Sequence, residues 1–100
     1  MLERDENLIN TVDSEGRTAL HWAVDRGNNS AVEKLISRNA DLGIRDNDGC
    51  TALHYAVTVE STELVRILLN HKADHTIQDN DGLTAKDYSE NQEITNLIAF

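Results

Sequence analysis

The 33-residue segment that begins at Asp13 repeats from Asp46, and a third copy begins at Asp79. Thirteen of the 33 positions are identical between the first two copies. The shared frame is D-x-x-G-x-T-A-L-H-aromatic-A-V, then a V-x-x-L stripe, then an A-D pair. A period of this length means units that cannot bury an apolar face alone and do so by stacking on a neighbour. Such arrays present a continuous surface and seldom an enclosed pocket, which favours binding over catalysis. About three units are needed for stability. This chain has two whole copies and one shortened one, close to that limit.

Within each copy the local signals run in a fixed order. Asp13-Ser14-Glu15-Gly16, Asp46-Asn47-Asp48-Gly49 and Asp79-Asn80-Asp81-Gly82 place Asp first and Gly fourth, as a type I turn prefers. Thr18, Thr51 and Thr84 follow as N-caps, and Ala19, Ala52 and Ala85 as strong helix formers. The apolar spacing predicts short first helices over roughly Ala19–Asp25 and Ala52–Val59, with Leu20/Ala23 and Leu53/Ala56 on one face. Gly27 ends the first. Asn28-Asn29-Ser30 opens a second helix with the stripe Val32/Leu35/Ile36. Ser61 or Thr62 opens its counterpart, with Leu64/Val65/Leu68 widened by Ile67 and Leu69. Short connections make the two helices of a unit antiparallel. Asn39-Ala40-Asp41 and Lys72-Ala73-Asp74 lead into extended arms. The small Ala23 and Ala56 let adjacent layers approach closely.

These residues resemble the ankyrin repeat. The family frame D-x-x-G-x-T-P-L-H-x-A stands as Asp13/Gly16/Thr18/Leu20/His21/Ala23 and again as Asp46/Gly49/Thr51/Leu53/His54/Ala56. The resemblance covers residues 13–100 and implies an all-α ankyrin-repeat solenoid with β-hairpin-like turns. The expected organisation is 1–12 as the end of a preceding repeat or flanking arm, 13–45 and 46–78 as repeats, and 79–100 as a shortened C-terminal capping repeat. Several positions depart from the family pattern. Ala19, Ala52 and Ala85 replace its proline. Asn39, Lys72 and Glu60 stand where glycine would take a left-handed conformation at no steric cost. In the third copy Lys86-Asp87 replaces Leu-His, and Asp87, three residues after Thr84, makes a capping-box-like pair. The third copy keeps one apolar stripe, Ile94/Leu97/Ile98, beside polar Gln92, Thr95 and Asn96. Nothing comparable caps the N-terminal side, so a longer parent chain is expected.

The apolar fraction of 39% lies below a typical globular domain, which fits thin layers with polar tips. One cysteine, Cys50, excludes an internal disulfide and favours a reducing compartment, the cytoplasm or also the nucleus. No apolar run reaches the length of a membrane span. The net charge of −9 would repel phosphate, which disfavours nucleic acid. Its plainer role is to keep a thin, surface-rich protein soluble, and it is also compatible with a basic protein partner.

Each candidate site has a plainer reading beside it. His21 and His54 could serve as ligands or bases, but the resemblance implies structural posts within and between repeats. No Cys, Asp or Glu stands at zinc spacing around them. The acidic turns fail as calcium loops, because Ile44 and Ile77 occupy the position where the loop needs its first acid. Cys50 reads as an inert surface thiol. Asn10 sits at the arm position where the resemblance allows asparagine hydroxylation. No metal, cofactor or catalytic constellation is expected.

Binding is expected on the positions where the copies differ. At the turn tips these are Ser14, Glu15 and Arg17; Asn47, Asp48 and Cys50; and Asn80, Asp81 and Leu83. On the inner face of the first helices they are Trp22, Asp25 and Arg26; Tyr55, Thr58 and Val59; and Tyr88. Trp22, Tyr55 and Tyr88 are equivalent and form a ladder, either as interface anchors or as packing between repeats. The expected function is a non-catalytic protein-interaction module with no small-molecule site in these residues. A narrower resemblance gives the alternative. Leu20–Gly27 (L-H-W-A-V-D-R-G), Asp46–Ala56 and the short third copy look like the ankyrin tail of acyl-CoA-binding-domain proteins. That implies a regulatory or partner-recruiting tail whose lipid site lies in a separate N-terminal domain.

Overall fold

A computed structural model describes residues 8–98. The start of the flanking arm (1–7) and residues 99–100 lie outside the described residues. Each copy opens on a five-residue finger turn. The Gly16 N–H donates to Asp13 O at 3.0 Å, and the Asp13 N–H donates to Arg17 O at 3.0 Å. Asp46 with Cys50 and Asp79 with Leu83 repeat the pattern. These are type I turns closed by a left-handed glycine, the usual three-residue hairpin connection. No strand is assigned among the described residues, so the hairpin character is confined to the turns.

Helix α1 (Ala19–Asp25) and α2 (Asn29–Ser37) follow the first turn, and α3 (Ala52–Thr58) and α4 (Thr62–Asn70) the second. The third turn leads to a 3-10 turn, Ala85–Tyr88, and then α5 (Gln92–Ile98). Threonine starts the inner helices: Thr18 Oγ1 accepts from the His21 N–H, and Thr51 Oγ1 from the His54 N–H. Asn28 and Ser61 cap α2 and α4 in the same way, each accepting from the N–H three residues on. Val59 falls one residue past α3 as its C-cap, and Ser61, not Thr62, is the N-cap of α4.

All four helices α1–α4 end in one geometry. After α2, the Ala40 N–H reaches back to Leu35 O and the Asn39 N–H to Ile36 O. After α4, Ala73 and Lys72 do the same with Leu68 and Leu69. This closure satisfies the last carbonyls and requires one left-handed residue. Gly27 supplies it after α1. Glu60 (φ 60°), Asn39 (φ 72°) and Lys72 (φ 72°) supply it elsewhere, against their own steric preference.

The inner helices α1 and α3 and the 3-10 turn pack side by side, and α2, α4 and α5 form the outer layer. The core runs continuously through Leu20, Val24, Leu53, Val57, Leu64, Val65, Leu68, Ile94 and Ile98. Ala23, Ala52 and Ala56 are buried where inner helices meet. Truncating Leu53 to Ala would cost about 2–5 kcal/mol. That is a large share of the roughly 5–15 kcal/mol that holds a domain folded. The third unit is thinner because its first helix is a single 3-10 turn. Asp87 keeps it anchored: its carboxylate accepts from the Thr84 N–H at 2.9 Å and from Thr84 Oγ1 at 3.1 Å.

Candidate functional site

The two buried histidines join adjacent units and leave no lone pair for a ligand. His21 Nδ1 accepts from the Thr18 N–H at 3.0 Å, which forces the ring proton onto Nε2. Nε2 then donates to Cys50 O in the next finger turn at 2.9 Å. His54 repeats this with Thr51 N at 3.1 Å and Leu83 O at 3.0 Å. Desolvation pushes the His21 imidazole below its ordinary value of 6.5. Asp87, in the equivalent place, reproduces only the inward half of the post, because a carboxylate has no N–H to give onward.

A second network runs through the finger turns. The Asp13 carboxylate accepts from the backbone of Glu15 and Arg17 on one oxygen and from the Trp22 indole at 3.0 Å on the other. Asp46 holds Tyr55 in the same way, and Asp79 holds Tyr88. The Arg17 N–H foremost, then the indole, keeps the Asp13 carboxyl below the usual range. Burial pulls Asp46 upward, but hydrogen bonds from Tyr55 and the backbone of Cys50 and Asp48 together outweigh it and leave its pKa lowered. Tyr88 foremost keeps Asp79 low. Burial and the bond to Asp46 raise the Tyr55 phenol well above its ordinary value.

The structure buries none of the sixteen sequence-predicted surface residues. Ser14, Glu15, Asn47, Asp48, Asn80, Asp81 and Leu83 are exposed on the finger turns, and Arg17 and Cys50 are half-buried there. Trp22, Asp25, Arg26, Thr58, Val59 and Tyr88 are exposed, and Tyr55 is half-buried. Several also tie the turns together. The Asn47 amide donates to Ser14 O at 3.1 Å, and the Asn80 amide donates to Asn47 O at 2.8 Å. A cleft of about 190 Å³ gathers Arg17, Asp25, Asp48, Cys50, Tyr55 and Thr58, with Asp46 at its back. Arg17 spans it: Nε donates to the Tyr55 hydroxyl at 2.9 Å, and the guanidinium lies 5.2 Å from the Trp22 ring centre. Arg26 stands 5.7 Å from the same indole. Val59, Asn80, Asp81 and Leu83 do not line this cleft.

The profile for ankyrin repeats, three copies, matches residues 2–79 and 26–97. The chain belongs to the ankyrin-repeat family. Curated relatives of this ankyrin protein include acyl-CoA-binding domain-containing protein 1 of Arabidopsis thaliana, 56% identical over 32 residues, which are 32% of this chain and 10% of that protein. Acyl-CoA-binding domain-containing protein 6 homolog of Dictyostelium discoideum is 46% identical over 41 residues, 41% of this chain and 14% of that protein. Acyl-CoA-binding domain-containing protein 4 of Oryza sativa subsp. japonica is 67% identical over 27 residues, 27% and 8% respectively. The matches therefore span about a tenth of the length of these relatives.

The ankyrin frame carries interactions that the sequence reading passed over. The aspartates form the turns, and each also receives a hydrogen bond from the aromatic nine residues later. An Asp nine positions before an aromatic in all three copies was the available signal. Arg45 lies outside the repeated frame. It crosses to the third turn, with Nη2 donating to Gln78 O at 3.0 Å and Nε to Gly49 O at 3.1 Å. Cys50 is half-buried and less open than a surface thiol. Its Sγ lies 3.8 Å from the Tyr88 hydroxyl, whose own proton goes to Asp79, so the thiol is the donor. Burial raises its pKa, which opposes thiolate reactivity. The Asn10 amide oxygen accepts from the Asp41 N–H at 2.8 Å, tying the flanking arm to the next one. Among the described residues no group of three metal-binding side chains converges, and no helix is long and apolar enough to cross a membrane.

Proposed function

We propose that this ankyrin array is a non-catalytic module that binds another protein on the edge formed by its finger turns and first helices. The observation that carries this reading is the contrast between frame and variable positions. The frame residues Thr18, Leu20, His21 and Ala23, and Thr51, Leu53, His54 and Ala56, are buried in the scaffold, whereas the sixteen candidate residues remain exposed or half-buried along one edge of it. Turn-to-turn bonds through Asn47 and Asn80 hold that edge before a partner arrives, which lowers the ordering cost of binding. The partner is basic on this proposal: Glu15, Asp25, Asp48 and Asp81 are exposed there, on a chain of net charge −9. The unit boundaries at 13, 46 and 79 are part of the same reading. So is an intracellular location, cytoplasmic or nuclear, supported by the lone unpaired Cys50.

A second reading makes this segment the partner-recruiting tail of an acyl-CoA-binding protein, and the names of the curated relatives favour it. Lipid recognition would then lie in another part of that protein. One experiment addresses both. Photo-crosslinkers at Asp48 and Asp81, and as controls at Glu33 and Glu63 on the outer helices, should capture one protein from the first pair only. Charge reversal at Asp25 and Asp48 should abolish the capture. Equal capture from the outer helices would overturn the finger-edge reading. Saturable binding of acyl-CoA to the 100-residue chain would overturn the non-lipid role given to these repeats.

A further inference from the structure

Arg17 has no cationic counterpart in the second unit. Its guanidinium lies 5.2 Å from the Trp22 ring centre and 6.0 Å from that of Tyr55. Nε donates to the Tyr55 hydroxyl at 2.9 Å, and Nη1 pairs with Glu15 at 3.3 Å. One repeat later Tyr55 stands for Trp22, Tyr88 for Tyr55 and Asp48 for Glu15, but Cys50 stands for Arg17. The second seat thus keeps its aromatic wall, its phenol and its carboxylate and lacks the cation. The cleft of about 190 Å³ opens at this place, against Asp48, Cys50, Tyr55 and Thr58. Cys50 is too short to cover the Tyr55 ring as Arg17 covers Trp22. The Tyr88 hydroxyl gives its proton to Asp79 and receives the thiol at 3.8 Å. The Asp48 carboxylate has no hydrogen bond or ion pair among the described residues. Burial foremost pushes the Cys50 thiol up, and the charges of Asp46, Asp79 and Asp48 add to it, so the potential at this spot is negative.

We propose that this cleft takes one arginine side chain of the partner protein, its guanidinium seated in the second unit as that of Arg17 is seated in the first. The inference rests on the finger-edge reading and names the group by which a basic partner is held there. The guanidinium lies over the Tyr55 ring, donates to the Tyr88 hydroxyl in place of the Cys50 thiol, and pairs with Asp48. A planar fork of donors reaches a phenol and a carboxylate while its face covers an aromatic ring. A lysine ammonium is a compact, strongly hydrated point charge, and it makes the ion pair without the fork. Arg17 does not bar the cleft to a cation. It is paired with Glu15, and it lines the cleft together with the carboxylates of Asp25, Asp46 and Asp48. Opposite charges across such a contact favour the basic partner and disfavour an acidic one.

The test uses the full chain and short capped glycine peptides that carry one central arginine, lysine or citrulline. Nuclear magnetic resonance titration should show saturable shifts at Cys50, Tyr55 and Thr58 with arginine. Binding should be at least about threefold weaker with lysine and absent with neutral citrulline. Asp48→Asn removes an exposed carboxylate that supports nothing in the fold. It should keep its melting temperature and bind the arginine peptide about threefold more weakly. Cys50→Arg supplies a guanidinium from within the chain, as position 17 does, and should abolish the titration. Equal affinity for arginine and lysine overturns the proposal, as does parental arginine binding by Cys50→Arg. Absence of saturation, or shifts confined to the first unit, overturns it too. In each of these cases partner capture at Asp81 can persist, and the finger-edge surface then stands without this seat. Loss of that capture in the parent chain fails the surface itself.

Discussion

Tyr55 gives its hydroxyl proton to the Asp46 carboxylate while accepting a hydrogen bond from Arg17 of the preceding unit. One phenol thus closes its own finger turn and fastens the neighbouring one. Its ring also stands edge-on to His21, with centres 4.8 Å apart. Tyr88 repeats the bond to Asp79 and the edge-on contact to His54, but it takes a thiol in place of a guanidinium. Trp22 bonds Asp13 and carries the two arginines on its faces.

Tyr55→Phe removes both hydrogen bonds and little volume. Stability should fall by about 1–2 kcal/mol, because a part-buried carboxylate and a guanidinium each lose a partner. The Asp46 carboxyl should titrate at a higher pH than in the parent, since one of the bonds holding it down is gone. Urea denaturation and carboxyl chemical shifts measure the two effects. An unchanged Asp46 titration would show that the phenol does not hold this carboxylate.

Acid should weaken the array in two stages. Burial keeps the His21 pKa below its ordinary 6.5, and hydrogen bonds keep Asp13, Asp46 and Asp79 below their ordinary 3.8. In each case the unfolded chain binds the proton first as pH falls, so stability rises with pH across that window. The imidazole contribution is whole above 6.5 and is lost as pH falls through the lowered folded value. The carboxylate contributions are whole above 3.8 and are lost below it. Urea midpoints recorded against pH should decline first below neutrality and again at strongly acidic pH. His21→Gln should flatten the upper stage while lowering stability throughout. An upper stage of undiminished size in that variant would assign it to another group.

Glycine substitutions should separate backbone strain from crowding. Gly16, Gly49 and Gly82 all have positive φ, of 79°, 87° and 82°. A Cβ on Gly16 would lie 2.8 Å from the Asn47 backbone nitrogen, and one on Gly49 would lie 2.7 Å from that of Asn80. At Gly82 nothing lies within 4 Å. Gly82→Ala should therefore cost only the strain of the left-handed region, about 1–2 kcal/mol. Gly16→Ala and Gly49→Ala should cost about 1–3 kcal/mol more, since backbone must shift. Equal losses at the three sites in urea melts would mean that the turns do not stack this tightly.

What the sequence made legible was whatever repeats. The Asp-to-Gly turn, the threonine caps, the Leu20/Leu53 core and the histidine posts each recur at 33 residues, so a periodic pattern displays them. The left-handed Asn39, Glu60 and Lys72 were also readable, as places where glycine was expected. The bonds from Asn47 to Ser14 O and from Arg45 to Gln78 O were not. They depend on how closely two turns stack, and one chain's residue types do not encode that distance. The 3-10 turn Ala85–Tyr88 was expected to start a helix. A shortened link to α5 leaves too few residues for a full α-helix there. The outward face over Ala31 is not legible either, because only the burial of Leu64 and Ile67, the counterparts of Ala31 and Lys34, marks it as a layer boundary.

Lys72 holds the left-handed position after α4 at φ 72°, and its N–H and that of Ala73 close the helix onto Leu69 O and Leu68 O. A side chain with a Cβ is disfavoured there by about 1–2 kcal/mol relative to the right-handed region, whereas glycine is not. The unfolded chain offsets part of this gain, because glycine has more conformational freedom to lose. The exposed Lys72 side chain contributes no hydrogen bond or ion pair that its removal would forfeit. Lys72→Gly should therefore raise stability by about 0.5–1 kcal/mol, a shift of several degrees in melting temperature for a domain of this size. Asn39→Gly should gain less, because asparagine tolerates the same conformation. Calorimetry on the two variants ranks them directly. An unchanged or lower melting temperature for Lys72→Gly would mean that the strain at this helix end is relieved in some way other than by the residue at position 72.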